Sequence, residues 1–205
     1  MIVPTRKAGM TASGIIDPDL LLSAYRTGIF PMAEGVSGEI RWYEPVKRAV
    51  FPLDGLRISR SLRRTVERHA FETRFNTAFE SVVRQCANRE ETWISETIIQ
   101  SYGELNRRGL AFSVESWSGD ELAGGHYGVA LGGVFFGESM FSTQTDASKV
   151  ALVALVERLR SKGFVLLDAQ FMTPHLQTLG AVEISRQEYV KRLLSALELQ
   201  CSFLS

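Results

Sequence analysis

Two periods of apolar residues run along this chain, and the stretch GGVFFGESMFSTQTDASKVALVALVERLRSKGFVLLDAQF, from Gly132 to Phe171, shows both within forty residues. Val134-Phe135-Phe136 is a β-rich run bounded by glycines, as a strand should be. Thr145 or Asp146 is placed to cap a helix whose apolar residues from Val150 to Val156 run almost all round it, so burial on more than one side is expected. Gly163 suits the end of that helix. Phe164-Val165-Leu166-Leu167 is then a continuous apolar run, the pattern of a strand covered on both faces, and strand, helix and strand together predict a βαβ crossover.

The same reading places the other elements. Asp17 and Pro18 open a helix that runs through Leu20, Leu21, Ala24 and Tyr25 to Gly28, after an unpatterned stretch from Met1 to Ser13 expected to be loose. Pro45 and Pro52 punctuate a short strand, Ala49 to Phe51, and residues 1–54 are expected to form a small N-terminal domain, with residues 55–205 the larger one. Helices are predicted from Ser59, from Phe75 to Cys86, from Glu96 to Arg107, from Pro174 to Leu179 and from Arg186 to Leu197. Ala111 to Trp117 alternates as a strand does, turns at Ser118-Gly119-Asp120, and returns through the glycine-rich run Leu122 to Leu131. A hairpin, a crossover and flanking helices predict a mixed α/β sheet.

Polar residues gather where the predicted strands end. By two-residue alternation Glu138 shares a face with Val134 and Phe136, while Asp168 and Gln170 share one with Leu166. Carboxylates beside apolar strands are costly to desolvate unless they have partners or a task. Both acids therefore fit a plain strand-end role, satisfied by backbone amides or an arginine, as well as a catalytic one. A second concentration of charge lies on the helix from Ser59: Arg60, Arg63, Arg64 and Arg68 fall at i, i+3, i+4 and i+8, with Arg57 just before and Leu62 and Val66 on the other face. Such a stripe is commonly a solvated face, but guanidinium forks match phosphate geometry, and this one is favoured as a contact to an RNA backbone.

The runs FPM, WYEP, ISRSLRR, TWI, GGHYGVALG, GESMFS, DASK and LLDAQF, in this order, resemble the bacterial leucyl/phenylalanyl-tRNA–protein transferases, over about Asp17 to Leu197. The resemblance implies a large domain similar to the N-acetyltransferase fold and an aminoacyltransferase that moves leucine or phenylalanine from its tRNA to proteins with an amino-terminal arginine or lysine, marking them for degradation. It implies a relay of Asp168 and Gln170 at the attacking amine, Glu138 on a hydroxyl or ammonium of the aminoacyl-adenosine end, and Trp42, Trp93 and Tyr102 about the adenosine. Phe135, Phe136 and Met140 shape an apolar pocket or are core. In GGHYG, His126 stands where the family resemblance implies an apolar pocket residue, so donor choice, methionyl-tRNA included, is open.

Composition narrows the field further. An apolar content of 45% over 205 residues supports a proper core, no apolar run is long enough to span a bilayer, and the amino terminus has no apolar signal core, so a cytoplasmic protein is expected; a monomer is the working expectation, which no residue pattern fixes. Cys86 and Cys201 lack the number and spacing of a disulfide framework, and three scattered histidines make no metal site; no metal or other cofactor is expected. Lys+Arg 23 against Asp+Glu 23 is neutral overall, so tRNA binding must rest on the local arginine stripe. Three other functions fit parts of the chain. A coenzyme-A-dependent N-acetyltransferase would want glycines where Ser142 to Ala147 has none; a serine hydrolase using Ser139, His175 and Asp168 would want the second glycine of a G-x-S-x-G elbow; a non-catalytic RNA-binding module leaves the polar strand ends idle.

Overall fold

The computed structural model describes residues 9–34 and 38–205. Most of the stretch expected to be loose, residues 1–8, lies outside these. From Gly9 the chain folds back on itself, the Asp17 N–H donating to the Gly9 carbonyl at 2.8 Å. Helix α1 (Pro18–Arg26) starts as its sequence requires: the Asp17 carboxylate accepts from the N–H groups of Asp19 and Leu20, and Pro18 occupies the first turn. A hairpin of β1 (Phe30–Glu34) and β2 (Glu39–Tyr43) follows, then β3 (Lys47–Phe51) and α2 (Arg60–Glu67).

Next come β4 (Glu72–Phe75), α3 (Phe79–Ala87), α4 (Glu96–Arg107), β5 (Ala111–Ser118), β6 (Glu121–Leu131), β7 (Val134–Ser142), α5 (Ala147–Ser161), β8 (Leu166–Gln170), α6 (Pro174–Thr178), β9 (Val182–Ser185) and α7 (Arg186–Leu197). Seven strands form one mixed sheet in the order β4-β5-β6-β7-β8-β3-β9. Only β7 and β8 run parallel, joined by α5 as the crossover; every other neighbouring pair is antiparallel.

Several local expectations change. β3, grouped by its sequence with residues 1–54, pairs with β8 and β9 inside the large sheet, and the N-terminal elements share a core with it, Tyr25, Phe30 and Trp42 packing in the cluster that holds Phe136 and Tyr189. Local pattern shows that a strand exists but not its partner, and these partners lie over a hundred residues away. Phe75 ends a strand rather than opening a helix: β4 is a short, half-polar edge strand, and the chain turns at Asn76 (φ 57°) before α3 begins at Phe79. β8 starts two residues later than the apolar run suggests, because the Phe164 N–H closes α5 on the Leu159 carbonyl and Val165 points outward, 58% exposed. Asp146 does precede α5, but with φ 67° and no capping bond; its carboxylate pairs with Lys149 at 2.8 Å instead.

The glycines of β6 are needed for packing. A Cβ on Gly124 would lie 2.7 Å from that of Ala147, so only glycine lets the start of α5 press on the sheet. At Gly128 a Cβ would fall 2.2 Å from the Phe136 carbonyl, where the ladder slips: Tyr127 pairs with Ser139 and Gly128 with Gly137, leaving Glu138 as one extra residue in β7. Helix α5 is wedged between layers, with Leu152, Leu155 and Leu159 against the sheet and Val150 and Val153 against Leu62 of α2.

Candidate active site

Strands β7 and β8 stay paired only from Val134–Leu166 to Phe136–Asp168. Beyond that point a cleft of about 680 Å³ opens between Gly137 to Phe141 on one side and Ala169 to Phe171 on the other. Its apolar lining comes from Met32, Phe51, Met140, Leu152, Leu167 and Leu176, with Trp93 at one wall. Among the described residues no group of three or more His, Cys, Asp or Glu side chains is placed to hold a metal ion.

Asp168 lies at the back of this cleft, fully buried. Arg48 grips it with two hydrogen bonds, Nε to Oδ1 at 2.8 Å and Nη2 to Oδ2 at 2.6 Å, and Tyr189 donates its hydroxyl to Oδ2 at 2.8 Å. The guanidinium is itself 1% exposed, stacked between the rings of Phe30 and Tyr189, and donates to the Gly28 carbonyl at 2.9 Å. Burial opposes its charge, but Asp168 more than compensates and holds it protonated. Asp168 Oδ1 also accepts the Gln170 N–H at 2.9 Å.

That last bond fixes an unusual backbone. Gln170 has φ 61°, a left-handed conformation that costs a non-glycine residue about 1–2 kcal/mol. The turn aims its carboxamide at Glu138, whose Oε1 accepts from Nε2 at 2.9 Å. Gln170 Oε1 makes no hydrogen bond within the described residues. Asp168 therefore sets Gln170 through the main chain, and its own oxygens are filled by Arg48, Tyr189 and that amide.

Glu138 is the extra residue of the bulge, and both tyrosines behind it reach its carboxyl. Tyr25 of α1 donates to Oε1 at 2.6 Å, Tyr102 of α4 to Oε2 at 3.0 Å, and the two hydroxyls lie against each other. With both phenols donating to a carboxylate no proton is left between the two hydroxyls; with a proton on Oε2, Oε2 donates to Tyr102, Tyr102 to Tyr25 and Tyr25 to Oε1, and all three contacts carry one. Burial, only partly offset by the hydrogen bonds from Tyr25, Gln170 and Tyr102, pushes the Glu138 carboxyl up to about 7.

The remaining sequence candidates divide. His126, Met140 and Trp93 line the cleft, and burial lowers the His126 imidazole to about 4, so it is neutral at pH 7. Phe135 and Phe136 do not: one packs on Phe203 at 5.2 Å, the other on Tyr25 at 4.8 Å, in the cores on either side of the sheet. Trp42 is buried in the core under the β1–β2 hairpin, and Tyr102 sits behind Glu138 without lining the cleft. Arg57, Arg60, Arg63, Arg64 and Arg68 are all exposed on or beside α2, and no ion pair among the described residues uses them. Ser139, His175 and Asp168 make no hydrolase triad, since the Asp168 oxygens are taken by Arg48, Tyr189 and Gln170.

Sequence reasoning overlooked Arg48, Tyr25 and Tyr189. A charged residue abutting the apolar run Ala49 to Phe51 was the available signal for Arg48, because a buried arginine needs an acid.

Comparison with known proteins shows the family. Residues 50–194 match the family model described as leucyl/phenylalanyl-tRNA protein transferase, and residues 14–46 the model of that family's N-terminal domain. The chain is 56% identical over 188 residues to the leucyl/phenylalanyl-tRNA–protein transferase of Gloeobacter violaceus, covering 92% of this chain and 97% of that one. It is 54% identical over 194 residues to that of Chlorobium limicola (93% and 100% covered) and 55% over 189 to that of Rubrobacter xylanophilus (92% and 98%). Among solved structures it aligns with L-PGS from Bacillus licheniformis at a TM-score of 0.46 and 13% identity, over 89% of this chain and 77% of that chain. Matched through both family models, and more than half identical to relatives that it spans almost end to end, the chain belongs to the leucyl/phenylalanyl-tRNA–protein transferase family.

Proposed function

We propose that this protein acts in the cytoplasm as a monomer, transferring leucine or phenylalanine from aminoacyl-tRNA to the amino terminus of acceptor proteins that begin with arginine or lysine and marking them for degradation. The observation that carries the reading is the cleft between β7 and β8, where an acceptor oxygen on Gln170 and a near-neutral carboxyl on Glu138 stand over an apolar floor.

In the reaction the amine nitrogen forms a bond to the ester carbonyl carbon, the bond from that carbon to the ribose oxygen breaks, and a proton passes from the amine to the ribose. No enzyme nucleophile is needed, and holding both partners in place is worth about 7–11 kcal/mol of the barrier. Gln170 Oε1 accepts from an N–H of the incoming amine and orients its lone pair; an amide oxygen is too weak a base to take the proton. Glu138, whose Oε1 accepts from Gln170 Nε2, holds the carboxamide in place, and the amine enters in its neutral form, which a group with a pKa near about 8 populates in part at pH 7. The buried Arg48–Asp168 pair acts through Gln170 and is positioning machinery. The donor side chain lies on the apolar floor, where neutral His126 bears on the choice among leucyl, phenylalanyl and methionyl donors. The exposed arginines of the α2 face take tRNA phosphates, and Trp93 meets the terminal adenosine.

A coenzyme A donor is disfavoured because its pyrophosphate would meet Asp146 at the start of α5. The deciding experiment supplies the protein with leucyl-tRNA or with acetyl-coenzyme A, each with a peptide beginning in arginine or lysine. Transfer is expected from leucyl-tRNA alone; transfer from acetyl-coenzyme A alone overturns the reading.

A further inference from the structure

The arginines about α2 do not line the cleft, so its own charge must come from elsewhere. Among the described residues that do line it, Arg89 is the only arginine or lysine. It stands exposed at the rim, in the connection between α3 and α4, where its Nη2 donates to the Met140 carbonyl and lies 3.4 Å from Ser139 Oγ. Four residues on, the Trp93 carbonyl accepts from the Ala33 N–H of β1 at 3.1 Å. The connection is thus pinned twice, to β7 through Arg89 and to β1 through Trp93, and guanidinium and indole share one fixed rim.

A guanidinium carries five N–H donors, of which Nη2 holds two; Nε and Nη1 keep three, without a partner among the described residues. No ion pair there uses Arg89, although Glu90 and Glu91 follow it in the chain. Arg84, on α3, shows the contrast: Glu80 holds it at 2.8 Å and Glu96 at 3.1 Å. An arginine anchored by one nitrogen, with its charge unpaired and its other donors free, is suited to an entering phosphate.

We propose that Arg89 binds the phosphodiester that joins the terminal adenosine of the donor to the nucleotide before it. The inference rests on the aminoacyl-transfer reading and gives its donor a second fixed point. With the adenine on Trp93 and the phosphate on Arg89, the ribose ester is held from two sides of one connection. Because Nη2 also holds the Met140 carbonyl, the phosphate is placed relative to the floor that takes the donor side chain. Arg89 is therefore a positioning residue. The acceptor supplies no competing anion, since it brings an amine and a basic first side chain.

The test gives the full chain a peptide beginning in arginine and two small donors: leucyl-cytidylyladenosine with its natural phosphodiester, and the same compound with an uncharged methylphosphonate linkage. The unsubstituted protein is expected to show a KM about tenfold lower for the phosphodiester, the worth of a charge-assisted hydrogen bond at an exposed site. In Arg89→Gln the two KM values should converge. Arg89→Lys should restore part of the difference, because it keeps the charge. Arg60→Ala with Arg64→Ala should weaken binding of whole tRNA and leave the tenfold ratio intact. A residue that only held Met140 would raise both KM values together in Arg89→Gln and keep their ratio, and that result would overturn the assignment. Equal KM values for the two donors in the unsubstituted protein would overturn it without any substitution. No transfer from either donor or from whole leucyl-tRNA would instead remove the aminoacyl-transfer reading itself, and the role of Arg89 with it.

Discussion

Replacing Arg48 by methionine tests how the candidate site is held. The side chain keeps an apolar stem of comparable length but loses the guanidinium and its stacking on Phe30 and Tyr189, leaving Asp168 at 0% exposure with only Tyr189 and one backbone amide as donors. Breaking a buried pair on one side costs about 3–5 kcal/mol, most of it the penalty of an uncompensated charge. At roughly 2–4 °C per kcal/mol for a chain of this size, thermal unfolding followed by circular dichroism should show a fall of about 6–20 °C. The double variant Arg48→Met with Asp168→Leu should recover most of that loss, because an apolar pair of similar volume in place of a buried ion pair is commonly neutral or better. Turnover separates the two roles. In the recovered double variant the Gln170 N–H has lost Oδ1, so its left-handed turn is no longer held, and peptide transfer should stay low while tRNA affinity is unchanged. A melting temperature within about 2 °C of the parent for Arg48→Met, or a double variant no more stable than the single one, would refute the reasoning. A recovered double variant with full turnover would show that the pair serves the fold alone.

Two further outcomes follow from the same geometry. Glu138 titrates near 7 when folded against its ordinary 4.5, so between these values the folded protein keeps a proton that the unfolded chain gives up; stability should fall by about 3 kcal/mol as pH rises through that window and level off above it. Urea unfolding at pH 5 and 7.5 should show this slope in the parent and its loss in Glu138→Gln; the same slope in both would place the titrating group elsewhere. On α2, Arg60→Ala with Arg64→Ala should leave the melting temperature unchanged, since both side chains are exposed and make no ion pair. The log–log salt slope of tRNA binding should flatten by roughly 1–2, at about 0.7–0.9 per lost phosphate contact, and an unchanged slope would take RNA off this face.

Much of the architecture was legible because its causes are local. Asp17 with Pro18, Ser59, Ser95 and Ser185 cap the helices that their spacing announces, and the glycines at 109 and 163 end α4 and α5 with positive φ. The crossover from Val134 to Gln170 needed only the switch of apolar period, and the face shared by Asp168 and Gln170 followed from strand alternation. The family, too, could be read from short runs whose order the chain preserves.

What the local pattern could not supply was long-range pairing. Arg48 meets Asp168 across 120 residues, Tyr25 meets Glu138 across 113, and β3 enters the sheet between strands made much later in the chain. The plain reading of Asp168, an acid satisfied by an arginine and a backbone amide, is the one its contacts match, yet no spacing named the arginine. Phe135 and Phe136 stayed open between pocket and core because a strand's alternation tells which side chains share a face, not what covers that face; Tyr25 of α1 and Phe203 pack on them. Glu138 depended on a slipped register that placed one extra residue in β7. Sequence alone determined most of the helices, the β7–α5–β8 crossover, the family and the trio Glu138, Asp168 and Gln170. Tertiary structure alone decided which of them are buried together, and burial is what makes Glu138 a near-neutral acid and turns Arg48 and Asp168 into the support on which Gln170 rests.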